Sequence, residues 1–187
     1  GALLILDEIQ PGIGRTGKLF AFEHYGIIPD ILVYGKGLGG GFPIGALSSS
    51  FNNMSLFKEN PILGHITTFG GHPVISAAAY ANLKETLASG IIGLVNQKES
   101  LFRKYLKHEL IDEIRGKGLM LAIILKEKKI TSKLVSKSLE KGLVLFYLLF
   151  ETKAVRITPP LTISNNEIKE GCKIILQTLD EIKNSVH

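Results

Sequence analysis

The sequence predicts an α/β part followed by a smaller α+β part, and three observations carry that reading. Residues 2–6, Ala-Leu-Leu-Ile-Leu, form an unbroken apolar run ending in Asp7-Glu8, the pattern of a strand buried in a parallel sheet rather than the alternation of a half-solvated one. A second apolar run, Ile31 to Tyr34, ends at Gly35-Lys36. Both strands therefore offer a polar residue at the carboxyl end, the side on which open α/β sheets bind ligands. After Leu110 the pattern changes to short strands and helices, the last helix opened by the capping box Ser164-Asn165-Asn166-Glu167. The boundary is accordingly placed at 110, giving residues 1–110 and 111–187.

The elements follow in order. A turn-rich loop, Gln10 to Gly17, leads through an apolar-periodic piece at Leu19, Phe20, Phe22 and Tyr25 to the second strand. A third strand runs from Ile44 to Ser50, its small and polar residues placing it near an edge. Residues 51–72 read as irregular. Pro73 opens a helix that stops near Gly90, and a second helix spans about Gly93 to Leu110. Beyond the boundary, Arg115-Gly116-Lys117-Gly118 reads as a turn before a strand at Leu119 to Leu125. A helix over Thr131 to Lys141 comes next, then a strand pair around Leu143 to Phe150 and Val155 to Thr158. The closing helix carries Ile168, Cys172, Ile175, Leu179 and Ile182 at helical spacing.

Composition excludes several classes. With 187 residues, 45% of them hydrophobic and 21% charged, the chain is globular rather than disordered. The 22 Lys and Arg are interleaved with 17 Asp and Glu, and Trp is absent; a net charge of +5 spread in this way is a solvated surface and not a nucleic-acid interface. The longest apolar run, Leu143 to Phe150, is far short of the roughly 20 residues a spanning helix needs, so no membrane partner is expected. One cysteine, Cys172, rules out an internal disulfide and suits a reducing, cytoplasmic compartment. Because a buried strand at residues 2–6 needs neighbours on both sides, the chain reads as the carboxyl-terminal part of something longer.

Two phosphate-loop patterns fail on their context. In Gly12-x-x-x-x-Gly17-Lys18, Leu19 stands where a metal-binding hydroxyl is required, and Gly35-x-Gly37-x-x-Gly40 is followed by Phe42-Pro43, which cannot open the required helix. The five histidines show no metal-ligand spacing, and Ser48-Ser49-Ser50 lacks a nucleophile elbow. What remains is an acid at one strand end, a lysine ringed by glycines at the next, and Thr67-Thr68 near glycines before a helix. That set suits pyridoxal phosphate: a lysine for the aldehyde, an acid for the pyridinium nitrogen, hydroxyls for the phosphate. A Gly-rich turn with an incidental lysine is the plainer reading of Lys36, and a structural ion pair that of Arg156.

Several segments occur in the order found in one family. They are Asp7-Glu8-Ile9-Gln10 with Gly14-Arg15-Thr16-Gly17, Pro29-Asp30, and Gly35-Lys36-Gly37 with its trailing glycines. Further on come Thr67-Thr68-Phe69-Gly70-Gly71-His72-Pro73, Arg115-Gly116-Lys117-Gly118-Leu119-Met120, and Val155-Arg156-Ile157-Thr158-Pro159-Pro160-Leu161. On these the chain resembles the class III pyridoxal-phosphate-dependent aminotransferases, the group with acetylornithine, ornithine and 4-aminobutyrate aminotransferases. The resemblance implies the back half of a type I PLP-transferase large domain, mainly parallel sheet with helices, over 1–110, and a small α+β domain over 111–187.

It also implies roles. Lys36 matches the Schiff-base lysine and proton shuttle, Asp7 the partner of the pyridine nitrogen, and Gln10 a contact to the phenolic oxygen. Thr68 matches a threonine that reaches the cofactor phosphate of the neighbouring subunit, hence a homodimer. Arg156 matches the arginine that grips a substrate carboxylate. The implied reaction transfers an amino group from an amino acid or ω-amine to a 2-oxo acid by way of pyridoxamine phosphate. The family's front half, with its phosphate loop and ring-stacking aromatic, is not in this chain, so the isolated chain is expected to be inactive. His72 stands where Asn is common, and Leu145 to Phe150 is unusually apolar, which leaves the substrate open. A folded chain without cofactor, and a racemase or decarboxylase on the same fold, remain as alternatives.

Overall fold

The computed structural model describes residues 1–62 and 64–185. Contacts divide the chain into two compact units, Gly1–Ile92 and Gly93–His187, and each contains its own sheet.

In the first unit β1 (Ile5–Asp7) pairs in parallel with β2 (Ile31–Gly35), and β3 (Gly45–Ser49) pairs antiparallel along the other side of β2. The mainly parallel sheet expected from sequence is thus corrected to a mixed one. Chain length explains this: residues 36–44 alone join β2 to β3, whereas a parallel return needs a crossover of about a dozen residues or more. One face of the sheet is covered. Tyr34 and Ala46, cross-strand partners, pack with Phe20, Ile44 and Leu83 on a cluster of Ile13, Leu38 and Ala79. A short helix, α1 (Phe51–Ser55), follows β3, its N-terminus capped by Ser50, whose Oγ accepts the Asn53 N–H at 3.2 Å. The second helix, α2 (Pro73–Ala88), supplies Ala79 and Leu83 to the cluster. Pro73 suits its first turn, where an amide donor would have no partner.

The first strand departs from its sequence reading. It begins at Ile5, and Leu3, Leu4 and Ile5 are 58%, 42% and 58% exposed. The apolar run is that of a strand covered on both faces, but in the order β1-β2-β3 it stands at the sheet edge.

The second unit opens with α3 (Val95–Tyr105). Its sheet consists of β4 (Ile111–Lys117), β5 (Met120–Leu125), β6 (Phe146–Tyr147) and β7 (Ala154–Ile157), paired antiparallel in the order β4-β5-β7-β6. α4 (Lys128–Glu140) and α3 both pack on α5 (Asn165–Asn184). The stripe read from sequence on α5 is the core itself: Ile168, Cys172, Ile175, Leu179 and Ile182 are at most 2% exposed, facing Leu121, Ile123 and Leu125 of β5. The capping box forms as expected. Ser164 Oγ accepts the Glu167 N–H at 3.2 Å, and Glu167 Oε2 accepts the Ser164 N–H at 2.7 Å.

Two expectations change here. Arg115 to Gly118 is not a turn, since β4 runs through Lys117. Apart from Gly116, Ile111 and Ile114 are the only apolar residues of this edge strand, and a register shift between Ile111 and Glu113 breaks its alternation, so periodicity could not find it. Gly116 lies within β4 opposite Leu121 at φ +107, where a Cβ would stand 2.1 Å from the Met120 carbonyl oxygen. The apolar run 143–150 is mostly unpaired, with only Phe146–Tyr147 on the ladder. By contacts, α3 lies in the second unit. Arg103 on α3 binds Glu99 at 2.8 Å and donates to the Ile114 and Gly116 carbonyls at 2.7 and 2.8 Å, while Glu99 accepts the Gly118 N–H at 2.5 Å. Helix and hairpin are tied by charge-assisted hydrogen bonds that sequence spacing does not display.

Burial pushes the Cys172 thiol from an ordinary value near 9.0 up to about 12. The unfolded chain therefore loses a proton, from about pH 9 upward, that the folded chain keeps, and this group makes folding less favourable as pH rises toward 12. At pH 8 a thiol reagent is expected to label Cys172 only on unfolding, with a labelling curve in urea that follows loss of helix signal; fast labelling of the native chain would contradict the packing. Among the described residues no helix is long and apolar enough to cross a membrane.

Candidate functional site

Parallel pairing aligns like ends of strands. In the β1–β2 register Asp7 stands opposite Val33, and Lys36 directly follows Gly35, so the acid and the lysine lie at the same carboxyl edge of the first unit's sheet. Lys36 opens a 3-10 turn, Lys36–Gly39, with φ +42. That left-handed backbone costs a residue with a side chain about 1–2 kcal/mol, and it persists only where the surroundings enforce it. Here two neighbours enforce it. A Cβ on Gly35 would stand 2.6 Å from the Ile44 carbonyl oxygen, so β2 and β3 close tightly just before the lysine. Asn82 on α2 donates its Nδ2 to the Gly37 and Leu38 carbonyls at 2.7 and 3.2 Å, pinning the turn just after it. The Lys36 side chain is exposed.

Asp7 is also exposed, and its Oδ1 accepts the Ile9 N–H at 2.9 Å, a local turn that orients the carboxylate. Gln10 is exposed on the same loop. The loop's frame is Glu8, only 3% exposed, whose two carboxylate oxygens accept the Ala21 and Phe22 N–H groups at 2.9 and 2.8 Å. The Gly12–Gly17 loop spends its amides internally: Gly12 donates to Glu8, Gly14 to Leu19 and Gly17 to Gly14. Thr68 lies exposed in the turns before α2. At the start of that helix His72 Nδ1 is buried without a hydrogen-bond partner among the described residues. No cluster of three or more His, Cys, Asp or Glu able to hold a metal occurs among them either.

Glu8 and Asn82 are the residues that sequence reasoning passed over. Each left a signal. An acid adjacent to Asp7 on a strand points to the opposite face, which is the covered one, and must find donors there. An asparagine inside a helix is a poor helix former and is explained by a tertiary bond.

In the second unit Arg156 sits in mid-β7, paired with Ala122 and Phe146. Its guanidinium carbon lies 5.3 Å from the Phe146 ring centroid, and its Nε is buried without a hydrogen-bond partner among the described residues. The side chain borders a cavity of about 330 Å³ shared with Leu145, Phe146, Thr158 and Glu167. No ion pair to Arg156 occurs among the described residues, which weakens the purely structural reading of this arginine.

The aminotransferase class-III model matches residues 1–179. The chain belongs to that family. It is 44% identical to the acetylornithine aminotransferase of Caldanaerobacter subterraneus subsp. tengcongensis, over 97% of this chain and 46% of that protein. Against the putrescine aminotransferase of Pectobacterium atrosepticum it is 42% identical, over 97% of this chain and 39% of that one. Its fold matches the crystal structure of the Elizabethkingia anophelis acetylornithine aminotransferase with a TM-score of 0.87 and 34% identity, over 96% of this chain and 46% of the other. The class-III chain thus spans less than half the length of these relatives. Within it, Asp7, Gln10, Lys36 and Thr68 belong to the first unit and Arg156 to the second.

Proposed function

We propose that Lys36 is the cofactor-bearing lysine of a transaminase. The reaction moves an amino group from an amino acid or ω-amine, of the ornithine, acetylornithine or 4-aminobutyrate kind, to a 2-oxo acid. One observation carries this reading: an exposed amine at a strand's carboxyl end, held at φ +42 between Gly35 and Gly37, with Asp7 at the neighbouring parallel strand's end.

The class-III family is pyridoxal-phosphate-dependent, and the residues present fit that group. Gly35 and Gly37 give up their side-chain space to the Ile44 carbonyl and to Ile13, which holds the turn close and leaves the Lys36 side chain exposed. The Ile9 N–H takes one Asp7 oxygen and leaves the second to a pyridinium proton. When bound, pyridoxal phosphate supplies a conjugated ring that takes up the electron pair released at the substrate carbon. Lys36 Nζ would hold the cofactor through its aldehyde, and the same exposed amine would be the group that takes and gives a proton beside it. Asp7 holds the proton on the pyridine nitrogen, and Gln10 donates to the phenolic oxygen. The Thr68 hydroxyl binds the phosphate held by a second copy, which makes the working form a homodimer. Arg156 grips the substrate carboxylate with its two-pronged fork; Phe146, its ring centroid 5.3 Å from the guanidinium carbon, lines the same cavity.

A second reading, a folded chain that binds no cofactor, is favoured by the exposure of Asp7, Gln10 and Lys36. Pyridoxal phosphate added to this chain, and to a protein carrying both portions of the family fold, separates the two. The first reading expects a visible band discharged by borohydride, with the adduct on the peptide that contains Lys36. Absence of the band from both samples would sink it. An amino donor supplied alone then distinguishes a transaminase, which releases a 2-oxo acid and keeps the amino group on the cofactor, from a racemase or decarboxylase.

A further inference from the structure

We propose that Asn82 is a positioning residue for Lys36: its carboxamide, brought in by α2, holds the lysine in the left-handed backbone from which the exposed amine leaves the sheet edge. Its expected effect on turnover rests on the transaminase reading of Lys36; its expected effect on the backbone does not.

The argument starts from the strain. Lys36 has φ +42, a conformation that a residue with a Cβ keeps only where its neighbours impose it. The Lys36–Gly39 turn is four residues long, and so short a helical piece cannot pair its own later carbonyls. Outside donors are needed. The half-buried Asn82 supplies them, since its Nδ2 carries two hydrogens and donates to the Gly37 and Leu38 carbonyls at 2.7 and 3.2 Å.

The approach of the carboxamide has its own requirement. At Gly40, φ +58, a Cβ would stand 2.9 Å from the Asn82 Cβ. Glycine is therefore what lets the side chain reach the turn. The helix end of this contact is firm as well, because Ala79 and Leu83 of α2 pack in the same cluster as Ile13 and Leu38. Leu38, 6% exposed, is thus held by its side chain in that cluster and by its carbonyl on Asn82.

Backbone φ sets the direction of the Cα–Cβ bond. Without the two donors the carbonyls turn to water, the strain at Lys36 relaxes, and the amine swings away from the place where Asp7 ends the neighbouring strand. An amine so displaced can still attach to an aldehyde, but it stands badly for moving a proton. Turnover falls while attachment survives.

Asn82→Asp keeps the shape of the side chain and removes both donors. In the isotope-labelled 187-residue chain, the Lys36 backbone coupling and Cα shift that read φ are expected to be left-handed, and that signature is expected to be lost in Asn82→Asp. It is expected to return as the pH falls through the carboxylate range, where the protonated side chain regains one O–H donor. Asn82→Ala, a better helix former, gives the same loss without the return and covers a failure of the first variant to fold. Leu83→Ala thins the packing of α2; it is expected to lower the melting temperature and leave the signature in place. In a protein carrying both portions of the class-III fold, Asn82→Ala is expected to keep the borohydride-sensitive band and lower kcat by about tenfold to a hundredfold, with KM for the amino donor unchanged. A left-handed signature that survives in both Asn82 variants overturns the proposal. So does an equal loss in Leu83→Ala, or an unchanged kcat in a protein that shows the band. Loss of the signature with no band in any protein keeps Asn82 as the support of Lys36 and removes the transaminase reading.

Discussion

Lys36→Ala, in a protein carrying both portions of the class-III fold, is expected to lower turnover by roughly 10⁴-fold or more, because the proposed function gives one amine both the attachment of the cofactor and the movement of the proton. The same change should hardly affect folding. The side chain is exposed, and the backbone strain at φ +42 is shared by lysine and alanine, so the melting temperature of this chain is expected to stay within the effect of about ±0.5 kcal/mol typical of surface changes. Lys36→Gly sharpens the test. Glycine accepts left-handed backbone freely, and relief of strain less the extra entropy of the unfolded chain leaves a gain of about 0.5–1 kcal/mol. A variant that is more stable and wholly inactive would show strain held at a working residue. Retained turnover in either variant would remove Lys36 from the chemistry.

Leu179→Ala is expected to cost about 3 kcal/mol, within the 2–5 kcal/mol span for leucine truncation in rigid cores. Leu179 is 0% exposed in the cluster that joins α5 to β5 and to the other helices of the second unit. Those elements close on it from several sides, so the cavity left by truncation has little room to collapse. Urea unfolding followed by circular dichroism measures the loss, and Cys172 labelling reports the second unit by itself. Leu139→Ala, on the exposed side of α4, is the matched control with an expected change within about 0.5 kcal/mol. Equal effects at the two positions would mean that the core is not where the α5 stripe puts it.

The two cases differ in how much of them the sequence shows. Ile168, Cys172, Ile175, Leu179 and Ile182 are legible because one amphipathic helix repeats its burial every three to four residues, and the Ser164–Glu167 cap marks where it starts. Lys36 and Asp7 are legible for a related reason: each ends an apolar run, and strands of a parallel sheet expose their ends on one side. β4 was not legible, since a solvated edge strand with a bulge carries almost no periodic signal. Glu8 and Asn82 were not legible as supports either. Their partners, the Ala21 and Phe22 amides and the Gly37 and Leu38 carbonyls, lie 13–14 and 44–45 residues away in sequence.

By itself, then, the sequence determined the family whose order of motifs it follows and the polar residues that end its apolar runs, because residue type and local spacing are properties of the chain. Tertiary structure alone decided three things. The return of β3 is antiparallel, because residues 36–44 are too short a link for any other return. The contact boundary falls after residue 92, because α3 packs along α5. Ile5 and Leu47 are exposed in this chain although they are apolar residues of strands, because burial depends on what packs against a strand and not on the strand's own residues.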